Sequence, residues 1–337
     1  MLPRSKLVNK LFGSFRLQFS VLFVFLAMIG AFMITAPVVF LSPRTYTSVM
    51  VVAPFYIILA IGETFILIAG EVDMSFPSIV GFAAYAFAWI WSVTGNIPLS
   101  ILAAFASGAA LGLINGVLIT GVNAPSLVIT LGTYYFWRGV ITVLTNGLGI
   151  QLNLLGGTLV WKVFVGMIGG GLPTQVIWAT LVAVGAWVLM NRSKIGAHIY
   201  AVGDNRDAAR VMGIDVRKTL VFIFTLSGVL AALTGIMINL VDLTLWPTSG
   251  DSYLLPALAS AFIGGNPLTG GSGTIFGSVI GGLILSFITL GIVVSGGTGF
   301  WTQLIYGLII VVAISTYSVV KRSKRITEVL RRPISSM

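Results

Sequence analysis

The sequence predicts an all-α membrane protein with about ten transmembrane helices. Of its 337 residues, 57% are hydrophobic and only 8% are charged, whereas soluble domains carry about 25% charged residues. Apolar runs follow one another along the chain, and most approach the roughly 20 residues that a bilayer-spanning helix needs. The Lys and Arg residues behind the net charge of +10 lie beside these runs, which indicates membrane topology rather than nucleic-acid binding.

The individual spans can be placed in chain order. The first run, 17–40, is longer than the core of a signal peptide, so we expect an uncleaved membrane anchor. Further spans are predicted at 47–69, 77–94, 98–120, 126–145, 173–190, 219–241, 253–266, 274–295 and 300–320. The segment 253–266 is the shortest of these runs.

The basic residues predict the orientation of the spans, because Lys and Arg collect in short cytoplasmic loops. They cluster before the first span, at 192–218 and at 321–332. Six spans between the first two clusters and four between the last two place all three clusters, and both termini, in the cytoplasm. We therefore expect one transmembrane domain over 1–337: six spans in 17–190, a cytoplasmic loop at 191–218, four spans in 219–320 and a basic tail at 321–337.

Several function classes are excluded by the sequence. Cysteine is absent and His198 is the single histidine, so a thiolate or multi-His metal centre cannot form within the chain. Neither a GxxxxGK[ST] phosphate loop nor HExxH occurs, and the loops are too short for a catalytic domain. We expect no enzyme activity, no metal and no cofactor in this chain, so any ATP would be bound by another polypeptide.

Polar residues inside the apolar runs mark a candidate translocation path. Glu63 lies within "LAIGETFILIAG", where an ionised carboxylate is costly unless it faces a cavity or a partner; a pathway residue and a hydrogen-bonded structural carboxyl both remain open. Glu71 and Asp73 in "GEVDMSFPS" predict a broken helix lining a pathway, or an ordinary turn at the membrane surface. Asn115 and Asn146 could donate to a polar solute or bond a neighbouring helix.

The segment "VGDNRDAARVMGIDVRK", 202–218, is a polar island between two apolar spans. Asp204 as N-cap, Asp207 in the first turn and Gly213 after the last turn predict a short helix over 205–212. Ala208, Val211 and Met212 share one face of that helix, and Arg206 and Arg210 share another. So short a helix needs packing to persist, which the groove of a partner protein would supply. A solvated loop whose charges orient the next span is the alternative.

Glycine spacing predicts close helix packing and a repeat. Glycines recur every fourth residue, which lets helix backbones approach closely: Gly108, Gly112 and Gly116, and again Gly273, Gly277 and Gly281. At an offset of 200 residues three identities flank two predicted breaks: Gly70 with Gly270, Ser78 with Ser278, and Gly81 with Gly281. On the ten-span count spans two to five run opposite to spans seven to ten, which predicts an inverted repeat.

The aromatic run "TYYFWRG", 133–139, is typical of an interfacial belt. This interpretation places Arg138 at the membrane surface with the aromatic side chains around it. Stacking of Tyr134, Tyr135 or Trp137 on a sugar is the alternative.

Four stretches resemble the permeases of ribose-type sugar ABC importers, a family that also includes autoinducer-2 permeases. They are "IAGEVDMSFPSIVG", "NAPSLVITLGTYYFWRGVITVLTNG", "GAHIYAVGDNRDAARVMGI" and "ALASAFIGGNPLTGGSG", which occur in the family's order between about residues 60 and 290. Phe76 and Pro77 depart from the smaller residues common after the Asp-x-Ser, and Glu63 stands where the family often has an uncharged residue.

The resemblance implies a type II ABC importer subunit that forms the path for a monosaccharide or similar small polar solute by alternating access. It implies a cytoplasmic ATPase subunit with two nucleotide-binding domains that hold ATP and Mg, a periplasmic or lipid-anchored solute-binding protein, and a second permease subunit, all in or at a bacterial inner membrane. With the island's own residues, the candidate ATPase-docking set is Asp204, Asn205, Arg206, Asp207, Ala208, Ala209, Met212, Gly213 and Ile214. A permease for branched-chain amino acids or nucleosides and an ion-coupled secondary transporter, with Glu63 or Asp73 as proton site, are the alternatives.

Overall fold

Helices make up nearly all of the regular structure in the computed structural model, which describes residues 4–122, 124–294, 300–312 and 315. In chain order the helices are α1 (Arg4–Thr35), α2 (Pro37–Phe40), α3 (Pro43–Ile68), α4 (Phe76–Thr94), α5 (Ile97–Val122), α6 (Ser126–Thr145), α7 (Leu159–Val165), α8 (Thr174–Arg192), α9 (Lys194–Asp204), α10 (Arg206–Val211), α11 (Val216–Asp242), α12 (Leu254–Ile263), α13 (Ile275–Val294) and α14 (Phe300–Val312). The all-α fold class is therefore confirmed.

Eight of the described helices are long and apolar enough to cross a membrane, and each coincides with a predicted span. They are the Gln18–Thr35 part of α1, and α3, α4, α5, α6, α8, α11 and α13. The two remaining predicted spans correspond to shorter apolar helices, Asp251–Ile263 and Phe300–Val312. The predicted basic tail at 321–332 lies outside the described residues.

The centre of the bundle is formed by α3 and α11, whose apolar stretches are largely buried inside the protein. Helices α4 and α5 pack on α11, and α12 and α13 pack on α3. By contrast, few residues of α6 and of the Gln18–Thr35 part of α1 are buried. Exposed apolar faces on spanning helices suit contact with lipid chains, because apolar side chains are as stable against lipid tails as against other helices.

The first glycine face joins α5 to α11, as the spacing of the glycines predicts. A Cβ on Gly108 would overlap the Gly228 carbonyl oxygen, and a Cβ on Gly112 would overlap the carbonyl oxygen of Phe224. On the second face, Gly277 and Gly281 bring α13 equally close to the backbone of α12. Absent side chains therefore set the distance between backbones at both contacts.

Small antiparallel strand pairs lie in the loops between spans. Strand β1 (Ile150–Gln151) pairs with β4 (Thr244–Leu245), with Ile150 opposite Leu245, and β2 (Met167–Ile168) pairs with β3 (Leu172–Pro173). Two-residue strands leave no periodic signal in the sequence, so they could not be predicted. The β1–β4 pair ties the loop after α6 to the loop after α11, whereas the β2–β3 pair lies within the connection between α7 and α8.

Candidate functional site

The predicted docking helix exists as α10, and its start differs from the prediction by one residue. Asn205, not Asp204, is the N-cap: its extended backbone precedes the helix, and its side-chain oxygen accepts hydrogen bonds of 3.0 Å from the amides of Asp207 and Ala208. Asp204 is the last residue of α9. Because residues 194–204 form a helix of their own, the chain turns only at Asn205, and Asp204 cannot adopt the extended backbone of an N-cap.

The end of α10 is as predicted. Gly213 has φ 78°, which favours glycine. The Ile214 amide donates to the Ala209 carbonyl at 3.0 Å, and the Gly213 amide donates to the Arg210 carbonyl at 2.9 Å. These bonds satisfy carbonyl groups at the helix end, as in a Schellman-type cap.

The predicted apolar face of α10 lies on the surface of the protein. Val211 is 90% exposed and Met212 is 65% exposed, and Ala208 is exposed beside them. Ala209 is completely buried, so its place in the docking set is corrected: it packs against this chain and cannot contact a partner. Ala209 lies on the face of α10 that packs against the bundle. Its small side chain lets the helix backbone approach the bundle closely.

An ion pair connects α10 to the loop between α3 and α4. Arg206 Nη2 lies 2.5 Å from Glu71 Oε1, and the Glu71 side chain is only 8% exposed. Arg210 pairs instead with Asp207 within α10, at 2.8 Å between two exposed side chains. Of the two arginines predicted to share a face, Arg206 alone links the docking helix to the break after α3.

Glycines bring three segments into direct backbone contact at this end of the bundle. Gly70 and Gly270, both with positive φ, are so close that a Cβ on Gly270 would lie 2.8 Å from the Gly70 Cα. A Cβ on Gly203, just before α10, would overlap the Ile68 carbonyl oxygen. That same oxygen accepts a hydrogen bond of 2.8 Å from the Gly271 amide. The break after α3, the docking segment and the loop 264–274 therefore meet.

This contact bears on the internal repeat. The residues that match at an offset of 200 lie in or after two breaks, 69–75 and 264–274, which are neighbours at one end of the bundle. The predicted inverted repeat relates spans two to five to spans seven to ten, which is not the pairing given by the 200-residue offset. It stays a prediction.

The break between α3 and α4 is buried, as expected for a broken helix inside a membrane protein. Asp73 and Glu71 are 1% and 7% exposed. Side chains of α6 satisfy two backbone amides that the break leaves free: Ser126 Oγ accepts from Val72 and Thr130 Oγ1 from Met74, both at 3.0 Å. Such satisfaction is the condition for irregular backbone that water does not reach. Whether the break lines a pathway or lies at the membrane surface stays a prediction.

A polar cluster surrounds Asp73. The Ser75 amide and hydroxyl donate to Asp73 Oδ1 at 2.7 and 2.5 Å, and Asn115 Nδ2 donates to Ser75 Oγ at 2.6 Å. Glu63, completely buried, interacts electrostatically with Asp73. The structure thus brings Glu63, Asp73 and Asn115 together.

Acceptor atoms in this cluster have no hydrogen-bond partner within the described residues: both Glu63 carboxyl oxygens, Asp73 Oδ2 and Asn115 Oδ1. Unpaired buried acceptors are costly and could receive donors from a bound solute. Asn146 does not join them, since it ends α6 in a left-handed conformation with an exposed side chain.

Arg138 has partners inside the protein that the sequence interpretation did not predict, while its depth in the membrane stays a prediction. Its side chain is 12% exposed and forms an ion pair with Asp251, and its Nη2 donates to the carbonyls of Ser249 at 3.1 Å and Pro77 at 3.3 Å. Tyr134 also donates to Asp251 Oδ1, at 2.9 Å. An arginine midway along an apolar span usually faces the protein interior and pairs with an acidic residue or a carbonyl group. The position of Arg138 within its span could therefore have indicated a buried partner.

Asn266 was also missed, because nothing local distinguishes it from a loop asparagine. It is 1% exposed and spans the second break: its Nδ2 donates to Ala261 O at 2.8 Å and Ser278 Oγ at 2.7 Å, and its Oδ1 accepts from the Thr274 amide at 2.9 Å. Ser278 in turn lies 2.5 Å from Thr64 Oγ1 on α3. The second break is therefore closed by one amide side chain.

Comparison with known proteins places these features in a family. The family model described as "Branched-chain amino acid transport system / permease component" matches residues 45–314. Among curated relatives, the ribose import permease protein RbsC of Escherichia coli (strain K12) is 30% identical, covering 86% of this chain and 91% of the relative. The autoinducer 2 import system permease protein LsrC of Enterobacter sp. (strain 638) is 32% identical over 87% and 84%. The D-allose transport system permease protein AlsC of E. coli (strain K12) is 28% identical over 90% and 92%. No solved structure matches the chain.

Proposed function

The chain belongs to the permease-component family of branched-chain amino acid transport systems, and from that premise we propose that it forms the translocation path of an ATP-driven importer for a monosaccharide or similar small polyol. Relatives that cover more than four fifths of the chain are named for ribose, D-allose and autoinducer 2 import. These names favour a sugar-like solute over the amino acids in the family's description.

The observation that carries the proposal is the arrangement around α10. Val211 and Met212 present exposed apolar side chains, while Arg206 of the same helix is bound to Glu71 in the break after α3. An apolar helix face suits a groove on a partner. The helix is thus built to receive a partner on one side and to move the broken helix on the other.

The mechanism we propose is alternating access without covalent chemistry in this chain. An ATPase subunit with two nucleotide-binding domains binds ATP and Mg and contacts the exposed face of α10. A second permease subunit completes the path. A periplasmic or lipid-anchored solute-binding protein delivers the solute from outside. Displacement of α10 is transmitted through the Arg206–Glu71 pair and the backbone contact of Gly203 with Ile68 to the segment that carries Asp73.

The solute would meet the polar cluster of the break. Glu63, Asp73 and Asn115 hold acceptor atoms without described partners, and the hydroxyl groups of a sugar are donors that match them. Glu71 is occupied by Arg206 and is better assigned to coupling than to the solute. Asn146 ends a helix, which leaves it without a contribution to this path.

The topology completes the proposal. In a multi-pass protein of the bacterial inner membrane, with the basic segments cytoplasmic, α10 and the break after α3 face the cytoplasm. The N- and C-termini then lie on the same side as α10. A cysteine-accessibility scan with Ser193→Cys and Thr94→Cys, which lie at opposite ends of spans, should label these two positions from opposite sides.

The docking proposal is tested with Val211→Glu combined with Met212→Glu. Ala209 is left unchanged because it is buried. The full-length chain is co-expressed with a candidate ATPase subunit from the same organism. Loss of copurified ATPase and of ATP-dependent uptake is expected. The matched control is Ile195→Glu on α9, a partly exposed apolar residue of the same cytoplasmic segment; it should keep both. Unchanged copurification of the double variant contradicts the proposal.

The amino acid alternative has a direct test, because the family's description favours it. Uptake of labelled ribose, allose and leucine is measured in vesicles that contain the whole importer. Sugar uptake that needs ATP supports the proposal. Leucine uptake without sugar uptake supports the alternative.

A further inference from the structure

A cavity of about 500 Å³ lies beside the docking helix, between the end of α5 and the start of α11. Three arginines line it: Arg206 and Arg210 of α10, and Arg217 at the start of α11. Two carboxylates, Glu71 and Asp215, also reach it. The volume falls within the range of about 300–1,000 Å³ typical of ligand pockets.

The carboxylates of the cavity are already engaged by other groups. Glu71 is bound to Arg206 at 2.5 Å. Asp215 Oδ1 caps α11 by accepting from the Lys218 amide at 3.0 Å, and Oδ2 lies 3.3 Å from the Lys218 ammonium. Within the described ranges, Arg217 has no carboxylate at ion-pair distance. Arg210 is paired with Asp207 on the exposed side of α10, so among the described residues Arg217 is the lining arginine left without an ion pair. The lining itself holds three arginines against two carboxylates.

A second, apolar cavity of about 260 Å³ lies on the other side of the last turns of α5. It is a groove between α5 and α6, lined by Leu118, Val122, Val128, Ile129 and Phe136, and floored by Gly132. Val122, Val128 and Phe136 are among the exposed large apolar side chains. A groove of this composition at the outer surface of two spans suits a lipid acyl chain.

We propose that the arginine cavity binds the phosphate headgroup of an anionic phospholipid from the cytoplasmic leaflet, with one acyl chain in the groove between α5 and α6. Arginine forks match phosphate oxygens in pairs, and basic pockets between spans on the cytoplasmic side are suited to such headgroups. The apolar groove selects a lipid over a free phosphate ester. The inference rests on the cytoplasmic placement of α10 in the proposed function.

The lipid would act on coupling. Arg206 and Arg210 come from the docking helix, whereas Arg217 comes from the central helix α11. A phosphate shared between them would hold the inner face of α10 against the bundle during ATP-driven movement. Transport would then depend on the anionic lipid content of the membrane.

The test uses the full-length chain and native mass spectrometry, a readout independent of transport, with phosphatidylglycerol, phosphatidylcholine or sn-glycerol 3-phosphate added. Phosphatidylglycerol should bind about tenfold more tightly than phosphatidylcholine, a difference of about 1.4 kcal/mol. Arg210→Gln with Arg217→Gln should remove that preference. Arg192→Gln with Lys194→Gln, which removes the same number of positive charges from exposed residues outside the cavity lining, should keep it.

Filling the groove separates the two parts of the site. Gly132→Leu should weaken phosphatidylglycerol binding, because its side chain enters the groove, while Gly139→Leu on the same helix also meets open space and should have no effect. Equal binding of both phospholipids, equal binding of sn-glycerol 3-phosphate and phosphatidylglycerol, or an unchanged preference in the arginine variant overturns the proposal. Loss of ATPase copurification in that variant without lipid selectivity in the parent assigns the cavity to the protein partner instead, and also overturns it.

Discussion

Arg206 Nη2 of the docking helix lies 2.5 Å from Glu71 Oε1 in the break after α3, although the two residues are 135 positions apart in the chain. Glu71 is nearly buried, whereas the outer face of the same short helix is exposed. The pair therefore joins the surface that a partner would touch to the segment that carries the buried polar cluster.

Breaking the pair should uncouple docking from transport. In Glu71→Gln, Arg206 loses its charged acceptor, at a cost of about 1.5–3 kcal/mol, while the exposed face of α10 is untouched. We expect the ATPase to copurify and hydrolyse ATP while uptake falls at least several-fold. The ratio of uptake to ATP hydrolysis in proteoliposomes measures this. The control is Lys218→Gln, which breaks the exposed pair with Asp215 and should leave the ratio unchanged, since exposed pairs contribute little. A normal ratio in Glu71→Gln would contradict the coupling path.

Glu63 discriminates between an ATP-driven importer and an ion-coupled transporter. It is completely buried and its oxygens have no partners within the described residues, so an ionised carboxylate there is costly. The isosteric Glu63→Gln should therefore fold with equal or higher thermal stability and keep ATP-driven uptake, because its amide oxygen still accepts from a solute hydroxyl. A proton-coupling carboxylate cannot be replaced in this way. Abolished uptake in a folded Glu63→Gln protein, together with uptake driven by a proton gradient alone, would establish the secondary transporter.

The contact between α5 and α11 should reject even one methyl group. A Cβ in Gly112→Ala would overlap the Phe224 carbonyl oxygen, and a backbone contact cannot yield as a side chain can. Overpacking of this kind costs about 1–3 kcal/mol, so the melting temperature in detergent should fall. Gly121→Ala, on the same helix, meets open space and should be neutral or slightly stabilising. Equal melting temperatures for the two variants would show that the contact relaxes freely.

Arg138 should be required for stability rather than for anchoring at a membrane interface. In Arg138→Leu, Asp251 and the carbonyls of Pro77 and Ser249 lose their common donor. Asp251 is partly exposed, so we expect a loss of roughly 2–3 kcal/mol, and Arg138→Lys should recover only part of it because an ammonium lacks the planar fork. Thermal unfolding measures the effect. Arg192→Leu, at an exposed arginine near Trp187, is the control, and a similar loss there would assign the effect to charge alone.

Much of the fold follows from local patterns. Runs of apolar residues predicted each of the eight long spans, because a helix in lipid must satisfy its own backbone hydrogen bonds and the sequence alone sets its length. The break after Gly70 and the end of α10 at Gly213 were also predicted, since both depend on glycine at positive φ. The glycine faces were recognised as packing surfaces from their four-residue spacing.

The partners of those local features were decided only by tertiary structure. The sequence around Arg138 does not predict its pairing with Asp251, and the sequence around Glu71 does not predict its pairing with Arg206. Each pair joins segments more than a hundred positions apart. The N-cap at Asn205 and the burial of Ala209 follow from α9, which fixes where the chain turns and which face of α10 meets the bundle. The sequence by itself determined which segments can span a membrane and where the short helix α10 lies, since those properties depend on neighbours along the chain, whereas α7 and α9 were not predicted. Which polar groups meet depends on how the spans pack. The packing is set by backbone contacts at glycines, and the sequence around a glycine does not indicate which helix it contacts.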